Sequence, residues 1–195
     1  MTKLAIFASG SGSNAENIAL YFKDNSEVMV SLIISNKKDA YVLERAKKLG
    51  IPSYTYNKKE FDDSVQIISL LKENNIDYII LAGFLLKVST ALVDAFPNRI
   101  INIHPALLPK YGGKGMYGDF VHKSVVDAKE QETGITIHYV NENYDEGATI
   151  FQATCKVAEN DTYIEVAERV HKLEYEHFPK IIAEIIKKDS KTFGS

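Results

Sequence analysis

The chain has 195 residues, of which 45% are hydrophobic and 25% are charged, and its formal net charge is −3. These proportions are typical of one folded domain with a substantial core, and they exclude an intrinsically disordered chain. The weak negative charge, with basic residues spread along the sequence, gives no basic face for nucleic acid.

Cysteine usage and the amino terminus indicate the compartment. The chain has one cysteine, Cys155, so an intramolecular disulfide is impossible and a reducing compartment is favoured. No signal segment precedes the first strand-like run, and no apolar stretch is long enough to span a membrane. We expect a cytoplasmic protein without membrane contact, with Cys155 as a small core residue in a strand. The oligomeric state stays open, with a homodimer as one arrangement.

Apolar runs alternate with helical patterns through the first half of the chain. The predicted strands cover residues 4–8, 28–34, 53–56, 78–82 and 99–103. Helices are predicted around Ile18, over 40–49 and from Phe61 to Leu71, where Phe61, Val65, Ile68 and Leu71 keep helical spacing. Continuous apolar strands separated by helices indicate an α/β fold, in which a mostly parallel twisted sheet carries helices on both faces in three layers.

The second half of the chain follows a different pattern. Residues 134–140 and 149–157 read as strands with polar–apolar alternation, joined by the polar segment 141–147. A long helix is predicted over 162–188, with Pro179 marking a break or kink. Since no linker or internal repeat separates the halves, we expect one domain over 1–195.

A loop with two glycines, Ser9-Gly10-Ser11-Gly12-Ser13-Asn14, joins the first strand to the first helix and is called the glycine loop. Glycines allow a tight turn, and the free N–H groups at the start of a helix favour an anion such as phosphate. The spacing also fits a dinucleotide site, although Ser35-Asn36-Lys37-Lys38 replaces the expected acid after the second strand. An NADP-dependent reductase, a non-catalytic nucleotide-binding domain and a turn without a ligand therefore stay open.

Two polar residues interrupt the apolar run Ile100-Ile101-Asn102-Ile103-His104-Pro105. Alternation along a strand sends Asn102 and His104 to one face, and the proline places His104 at the carboxyl end, where open parallel sheets bind ligands. An amide and an imidazole can together polarise a carbonyl and exchange a proton. Asp145, in the later polar loop, could serve as a carboxylate that raises the histidine pKa. The alternative is a pair of satisfied core polar groups.

Several motifs occur in a fixed order along nearly the whole chain. They are Gly12-Ser13-Asn14, Ala82-Gly83-Phe84, Asn102-Ile103-His104-Pro105 with Leu107-Leu108-Pro109, Gly134-Ile135-Thr136 and Asp145-Glu146-Gly147. The ordered set resembles the phosphoribosylglycinamide formyltransferase family, the folate-dependent glycinamide ribonucleotide transformylases of purine synthesis. The resemblance implies a formyltransferase-type Rossmann-like fold, with a nucleotide-binding half over about 1–100 and a folate and catalytic half over about 100–195.

The resemblance also implies an activity and its catalytic residues. The formyl donor would be 10-formyltetrahydrofolate as co-substrate, and the acceptor would be the amino group of glycinamide ribonucleotide. Asn102, His104 and Asp145 match the family's catalytic triad. Protonated His104 and Asn102 would stabilise the tetrahedral oxyanion, while Asp145 favours the imidazolium and assists proton relay. The partners implied are small molecules, with no metal and no nucleic acid.

The binding residues carried over by the resemblance fall into three groups. Gly12, Ser13 and Asn14 match the loop that binds the acceptor's phosphate. Glu174 matches an acid that holds the sugar hydroxyls, with a solvated helical carboxylate as the alternative. The folate-binding matches are Lys59, Leu85, Leu86, Lys87, Val88, Asn102, Val140, Asn141, Glu142, Asn143, Tyr144 and Asp145. The family often has arginine at the position of Leu86, and Lys59 matches a basic residue near the folate tail.

Three further features bear on the function: a second glycine-rich loop, the remaining histidines and the class of acceptor. The glycine-rich loop 111–118 has four glycines, is longer than the family pattern, and fits either a lid or an enlarged surface loop. The remaining histidines, His122, His138, His171 and His177, lack the spacing of a metal site. Among relatives with the same triad, a sugar amine formyltransferase is the main alternative, and the Gly12-Ser13-Asn14 loop favours a monophosphate acceptor instead.

Overall fold

A seven-stranded sheet runs through the centre of the fold, which the computed structural model describes for residues 1–192. The strand order is β3-β2-β1-β4-β5-β6-β7; β1 to β5 pair in parallel, and β6 and β7 are antiparallel to their neighbours. The strands are β1 (Thr2–Phe7), β2 (Val28–Ser35), β3 (Ser53–Thr55), β4 (Tyr78–Leu81), β5 (Ile100–His104), β6 (Glu132–Tyr139) and β7 (Thr149–Lys156).

Helices cover both faces of this sheet. They are α1 (Ser13–Tyr21), α2 (Tyr41–Leu49), α3 (Lys58–Asp63), α4 (Val65–Glu73), α5 (Thr90–Ala95), α6 (Asp119–Asp127) and α7 (Tyr163–Thr192). One apolar core contains side chains of α1, α2, α6 and α7, and a second contains side chains of α3, α4 and α5. The predicted three-layer α/β fold is therefore confirmed. None of the helices described within residues 1–192 is long and apolar enough to cross a membrane.

The central strand β1 shows why the buried strands lack alternation in sequence. Leu4 and Ile6 pack into the first core, while Ala5 and Phe7 pack into the second, so both faces of the strand are covered. From β1 the chain builds β2 and β3 on one side, then crosses to build β4 and β5 on the other. Such a switch in direction opens a crevice at the carboxyl ends of β1 and β4, where ligands bind in open α/β sheets.

The helix predicted from Phe61 to Leu71 is wrong in one respect, because two helices occupy this region. Asn57 begins α3 with a capping box shared with Glu60, and Ser64 ends α3 in the left-handed region at φ 59°. The change of direction leaves Val65 59% exposed instead of facing the core.

Two further elements differ from the sequence-based prediction. Helices α5 and α6 were not predicted; Ser89 caps α5 by accepting a hydrogen bond from the Leu92 N–H. Strand β6 was predicted to alternate, but residues 133–138 are all buried. The reason is that β6 lies between β5 and β7, with Ile135 and Ile137 in the first core and the opposite face covered by the loops after β5. Strand β7, at the sheet edge, keeps its alternation.

Helix α7 continues through Pro179, so of the predicted break or kink the break is wrong. Phe178, Ile181 and Ile182 are buried in the first core on either side of the proline. Packing of this apolar face on both sides holds the helix together, although proline removes one N–H donor from it.

Candidate active site

A cavity of about 620 Å³ lies at the carboxyl ends of β1, β4 and β5, at the switch point of the sheet. Its walls are formed by the loop after β1, the segment after β4, the end of β5, the glycine-rich loop and parts of α6 and α7. The lining residues include Gly12, Ser13, Asn14, Leu85, Asn102, His104, Tyr144, Asp145 and Glu174. Residues predicted from distant motifs are thus brought into one site.

Strand β5 presents Asn102 and His104 to this cavity, while Ile101 and Ile103 belong to the first core. His104 is only 4% exposed, and its Nε2 donates a hydrogen bond to the Tyr111 carbonyl at 2.7 Å. This bond fixes the ring and leaves Nδ1 to face the loop after β6.

Asp145 lies on that loop, against the Nδ1 side of His104. Its Oδ2 is 3.6 Å from His104 Nδ1 and accepts a hydrogen bond of 2.9 Å from the Gly113 N–H. Its Oδ1 is 3.6 Å from Nε2 of His138, which comes from β6. The carboxylate therefore bridges two imidazoles and ties the glycine-rich loop to the catalytic candidates.

The pKa values of Asp145 and His104 are both shifted from their ordinary values. Burial raises the pKa of the Asp145 carboxyl, but contact with the His138 ring, the His104 charge and the Gly113 N–H outweigh burial and lower its pKa below 3.8. Burial also lowers the pKa of His104 from its ordinary value of 6.5, and neither Asp145 nor the Tyr111 carbonyl reverses that effect. Asp145 acts on the pKa of His104 in the expected upward direction, but desolvation exceeds the attraction of one carboxylate at 3.6 Å, so the net shift is downward.

The glycine loop after β1 opens helix α1 at the other end of the cavity. Gly12 is the N-cap residue at φ 72°, and a Cβ built there would lie 2.4 Å from the Val42 side chain on α2. The close approach of α2 therefore requires glycine at this position. Ser13 and Asn14 form the first turn of α1 and line the cavity, and the free N–H groups at the start of a helix favour an anion.

Glu174 on α7 closes this end of the cavity. It is 6% exposed, and its Oε2 accepts a hydrogen bond of 2.9 Å from Asn14 Nδ2. Burial raises the pKa of the Glu174 carboxyl, while the Asn14 hydrogen bond and the nearby His171 oppose the shift. The alternative of a solvated helical carboxylate is excluded by this burial.

The predicted folate-binding residues are only partly gathered at the cavity. Leu85 and Tyr144 line it, and the Lys87 ammonium lies 5.9 Å from the centre of the Tyr144 ring. Leu86 and Val140 instead pack, partly buried, against the second core, which also contains Val88. Asn141, Glu142 and Asn143 continue from Val140 toward Tyr144, and the Asn143 N–H donates to Asn141 Oδ1 at 2.9 Å. Exposed Lys59 on α3 lies outside the cavity lining.

Sequence reasoning missed several residues that the structure places at the site. His138 lies opposite Asn102 in the antiparallel β5–β6 pair, and its Nε2 is 3.0 Å from Asn102 Nδ2. His122 and His171 line the cavity with their rings 6.2 Å apart, and burial lowers the pKa of His122 to about 4. The spacing of the alternating polar residues in β6 could have indicated His138, but only with the register known.

Two further expectations concern metals and the cysteine. Within residues 1–192, no group of three or more histidine, cysteine or acidic side chains is arranged to hold a metal ion. Cys155, on β7, is half-buried against the first core, and burial raises the pKa of its thiol, which disfavours the reactive thiolate.

Comparison with known proteins shows the family of the chain. The formyl transferase family model matches residues 2–182 of the chain. The chain belongs to this family, among the phosphoribosylglycinamide formyltransferases. It is 36% identical to the phosphoribosylglycinamide formyltransferase of Bacillus subtilis (strain 168) over 191 residues, which cover 95% of each chain. It is 41% identical to the chloroplastic enzyme of Arabidopsis thaliana over 189 residues, 94% of this chain but 65% of that protein.

A solved structure of the family shows the same architecture. The phosphoribosylglycinamide formyltransferase of Bacillus halodurans superposes with a TM-score of 0.88 at 34% identity, covering 96% of this chain and 97% of that one. Family membership removes the NADP-dependent reductase and the non-catalytic nucleotide-binding domain as interpretations of the glycine loop.

Proposed function

We propose that this chain transfers the formyl group of 10-formyltetrahydrofolate to the amino group of glycinamide ribonucleotide. The products are formylglycinamide ribonucleotide and tetrahydrofolate, in de novo purine biosynthesis. The observation that carries this proposal is the cavity itself, which joins a helix N-terminus suited to a phosphate with a His–Asp pair suited to proton transfer. The names of the relatives favour the same acceptor.

The acceptor would lie with its phosphate at the glycine loop and its amine toward His104. The N–H groups of Ser13 and Asn14 at the start of α1 supply the anion site, because helix N-termini favour negative charge. Glu174, oriented by Asn14, lies where a carboxyl can hydrogen-bond sugar hydroxyls between the two ends. A monophosphorylated sugar amine matches this order of groups.

Proton transfer follows from the lowered pKa of His104. The ring is neutral near pH 7 and can take the proton that the acceptor nitrogen releases as it attacks the formyl carbon. The resulting imidazolium places its new proton on Nδ1, beside Asp145, which stabilises the charge. Asn102 donates to the oxygen that becomes negative in the tetrahedral intermediate. Delivery of the same proton to the departing folate nitrogen completes the transfer without a covalent enzyme intermediate.

The formyl donor would enter along the wall formed by the segments after β4 and β6. Leu85 and Tyr144 provide apolar and aromatic contacts in the cavity, and the backbone of residues 85–88 and 140–145 offers donors and acceptors to a pterin ring. Lys87, next to Tyr144, adds a positive charge on this side. The cavity volume of about 620 Å³ lies within the usual range for sites that bind molecules of this size.

The decisive test is a turnover assay with purified protein, 10-formyltetrahydrofolate and glycinamide ribonucleotide. We expect formylated ribonucleotide and tetrahydrofolate in equal amounts, detected by mass spectrometry and by the absorbance of the folate product. A nucleotide-linked sugar amine serves as the competing acceptor. Faster formylation of that sugar amine would reject the proposed acceptor while retaining formyl transfer, and absence of turnover with either acceptor would reject both.

A further inference from the structure

The side chain of His138 forms contacts with two of the three catalytic candidates. It lies directly across the β5–β6 pair from Asn102 and is 2% exposed. Opposed residues of an antiparallel pair project to the same face of the sheet, so its ring faces the same cavity wall as Asn102. On the same face, Thr136 is opposed to His104 and holds the chain after β5 through the Ala106 carbonyl and the Leu108 N–H.

The hydrogen bonds of His138 select one tautomer. Its Nδ1 lies 2.8 Å from the Tyr139 carbonyl, which can only accept a hydrogen bond, so Nδ1 carries a proton. In a ring with that single proton, Nε2 is an acceptor. Asn102 Nδ2, at 3.0 Å, is then the donor.

This tautomer also determines the orientation of the Asn102 amide. If the amide were rotated by half a turn, its oxygen would face the lone pair of His138 Nε2, and two acceptors would repel each other. With Nδ2 toward His138, one N–H is bonded to the ring and the second N–H of the same nitrogen stays available. That second N–H is the donor that the oxyanion requires.

Asp145 is the second group whose position depends on this ring. Its Oδ1 lies 3.6 Å from His138 Nε2, beyond hydrogen-bonding distance, whereas its Oδ2 accepts from the Gly113 N–H at 2.9 Å. Because Nε2 is occupied by Asn102, the carboxylate is held by Gly113 and remains beside His104. In this tautomer Nε2 has no proton to donate, so His138 does not compete with the Gly113 N–H for the carboxylate.

We propose that His138 is a positioning residue for formyl transfer, which orients the Asn102 amide as an oxyanion donor and keeps Asp145 on the His104 side. The proposal rests on the proposed function for its kinetic test and on the geometry of Asn102 and His138 for its spectroscopic test. It assigns His138 no contact with either substrate.

The spectroscopic test uses the protein without substrates, so it is independent of the proposed function. Long-range proton–nitrogen correlation spectra report which ring nitrogen of each histidine is protonated. We expect His138, assigned by comparison with His138→Gln, to have a protonated Nδ1 and a bare Nε2. A proton on Nε2 alone would overturn the proposal.

The kinetic test is a double-mutant cycle. His138→Leu keeps the ring's approximate volume but removes the acceptor, and we expect kcat to fall roughly 10-fold to 100-fold, with KM for both substrates within about 3-fold of wild type. His138→Gln, whose amide oxygen can accept from Asn102, should restore most of kcat. In an Asn102→Ala background, His138→Leu should change kcat by less than about 2-fold, because the side chain that it orients is gone.

Controls separate positioning from folding. Thr133→Val replaces another buried polar side chain of β6, away from the cavity, and should leave kcat unchanged. Wild-type kcat in His138→Leu, or effects of Asn102→Ala and His138→Leu that multiply, would overturn the proposal. If His138→Leu does not fold, the His138→Gln variant and the ring spectra test the proposal in its place. A low kcat in a folded His138→Gln protein would also contradict the proposal. If the wild-type protein fails to formylate glycinamide ribonucleotide, the proposed function fails and the spectra still test the geometry.

Discussion

Two carboxylates in the same cavity, Asp145 and Glu174, have pKa values shifted in opposite directions. Asp145 has two imidazoles and a backbone N–H around it, and its pKa is lowered. Glu174 is more buried and accepts a hydrogen bond from the neutral amide of Asn14, and its pKa is raised. The difference shows that the groups in contact with each carboxylate, and not burial alone, decide which acid stays ionised. An ionised Asp145 suits charge stabilisation, and a Glu174 that protonates readily suits hydrogen bonding to hydroxyls.

The largest effect is expected from removing the charge of Asp145. Asp145→Asn keeps the size of the side chain, and we expect kcat for formyl transfer to fall about 10³-fold, because the imidazolium of His104 loses its counter-charge. Steady-state assays with both substrates saturating measure this change. Exposed Glu146→Gln, the neighbouring charge, is the matched control and should retain wild-type kcat. Equal losses in the two variants would show that the loop, and not the carboxylate at 145, is responsible.

The lowered pKa of His104 predicts the pH profile. The neutral ring is the active base, so kcat should stay high as the pH falls below 6.5, the ordinary imidazole value, and decline only when the shifted pKa is reached. Asp145→Asn removes the carboxylate that opposes the shift, so the decline should move to still lower pH in the residual activity. Both profiles come from single-turnover rates between pH 4.5 and 8. A wild-type decline centred above 6.5 would contradict the lowered pKa.

At the Glu174 end of the cavity, the backbone of the glycine loop should matter most. Gly12→Ala places a Cβ against Val42 and strains a residue at φ 72°, so we expect about 1–3 kcal/mol of destabilisation. The KM for glycinamide ribonucleotide should rise about tenfold with a smaller change in kcat, since phosphate contacts are lost. Urea unfolding and steady-state kinetics measure the two effects. Gly10→Ala, where nothing lies within 4 Å of the added Cβ, should leave both close to wild type.

The smallest expected effect is on stability: Glu174→Gln and Asp145→Asn should differ from wild type in opposite ways as the pH changes. Because the folded pKa of Glu174 is raised above 4.5, the wild-type protein loses stability relative to Glu174→Gln as the pH rises through that pKa. For Asp145, whose folded pKa is lowered below 3.8, the wild-type protein is favoured over Asp145→Asn above 3.8, and this advantage disappears as the pH falls through the folded pKa.

Thermal melts of wild type, Glu174→Gln and Asp145→Asn between pH 3 and 8 measure these differences. We expect them to be about 1 kcal/mol, or roughly 2–4 °C in a chain of this size. The two variants should deviate from wild type with opposite sign at pH 8. A shared sign would mean that both carboxylates respond to burial alone.

Most of the parallel part of the fold could be predicted from the sequence because β1, β2, β4 and β5 are mainly apolar runs ended by turn signals. The grouping of the glycine loop, Asn102 and His104 followed from the rule that carboxyl ends of parallel strands share one edge. Ser64 shows the limit of periodicity, since one residue at positive φ divides a pattern that reads as a single helix. Helix α6 follows a glycine-rich loop whose geometry depends on contacts with Asp145, which local sequence does not encode.

Predicting the arrangement around His104 required information that the sequence does not contain. Asp145 could be named as a charge partner, but the position of His138 required the register of β5 with β6, which a shift by one residue would reverse. The sign of the His104 shift required the depth of burial, because an attractive carboxylate and desolvation act in opposite directions. Residue types therefore indicate candidate chemistry, while three-dimensional packing decides the protonation state.

The hydrogen bond from His104 Nε2 to the Tyr111 carbonyl has a consequence for ligand affinity. Because Nε2 donates to the Tyr111 carbonyl, this nitrogen of the ring already has a partner within the protein. A substrate that bonds to Nε2 must replace a partner at 2.7 Å, so its affinity reflects the difference between two hydrogen bonds and not the strength of one. The glycines that follow Tyr111 allow the carbonyl to withdraw. The Tyr111 carbonyl thus competes with ligands for Nε2 of His104, which disfavours ligands that bond to this nitrogen without also displacing the loop.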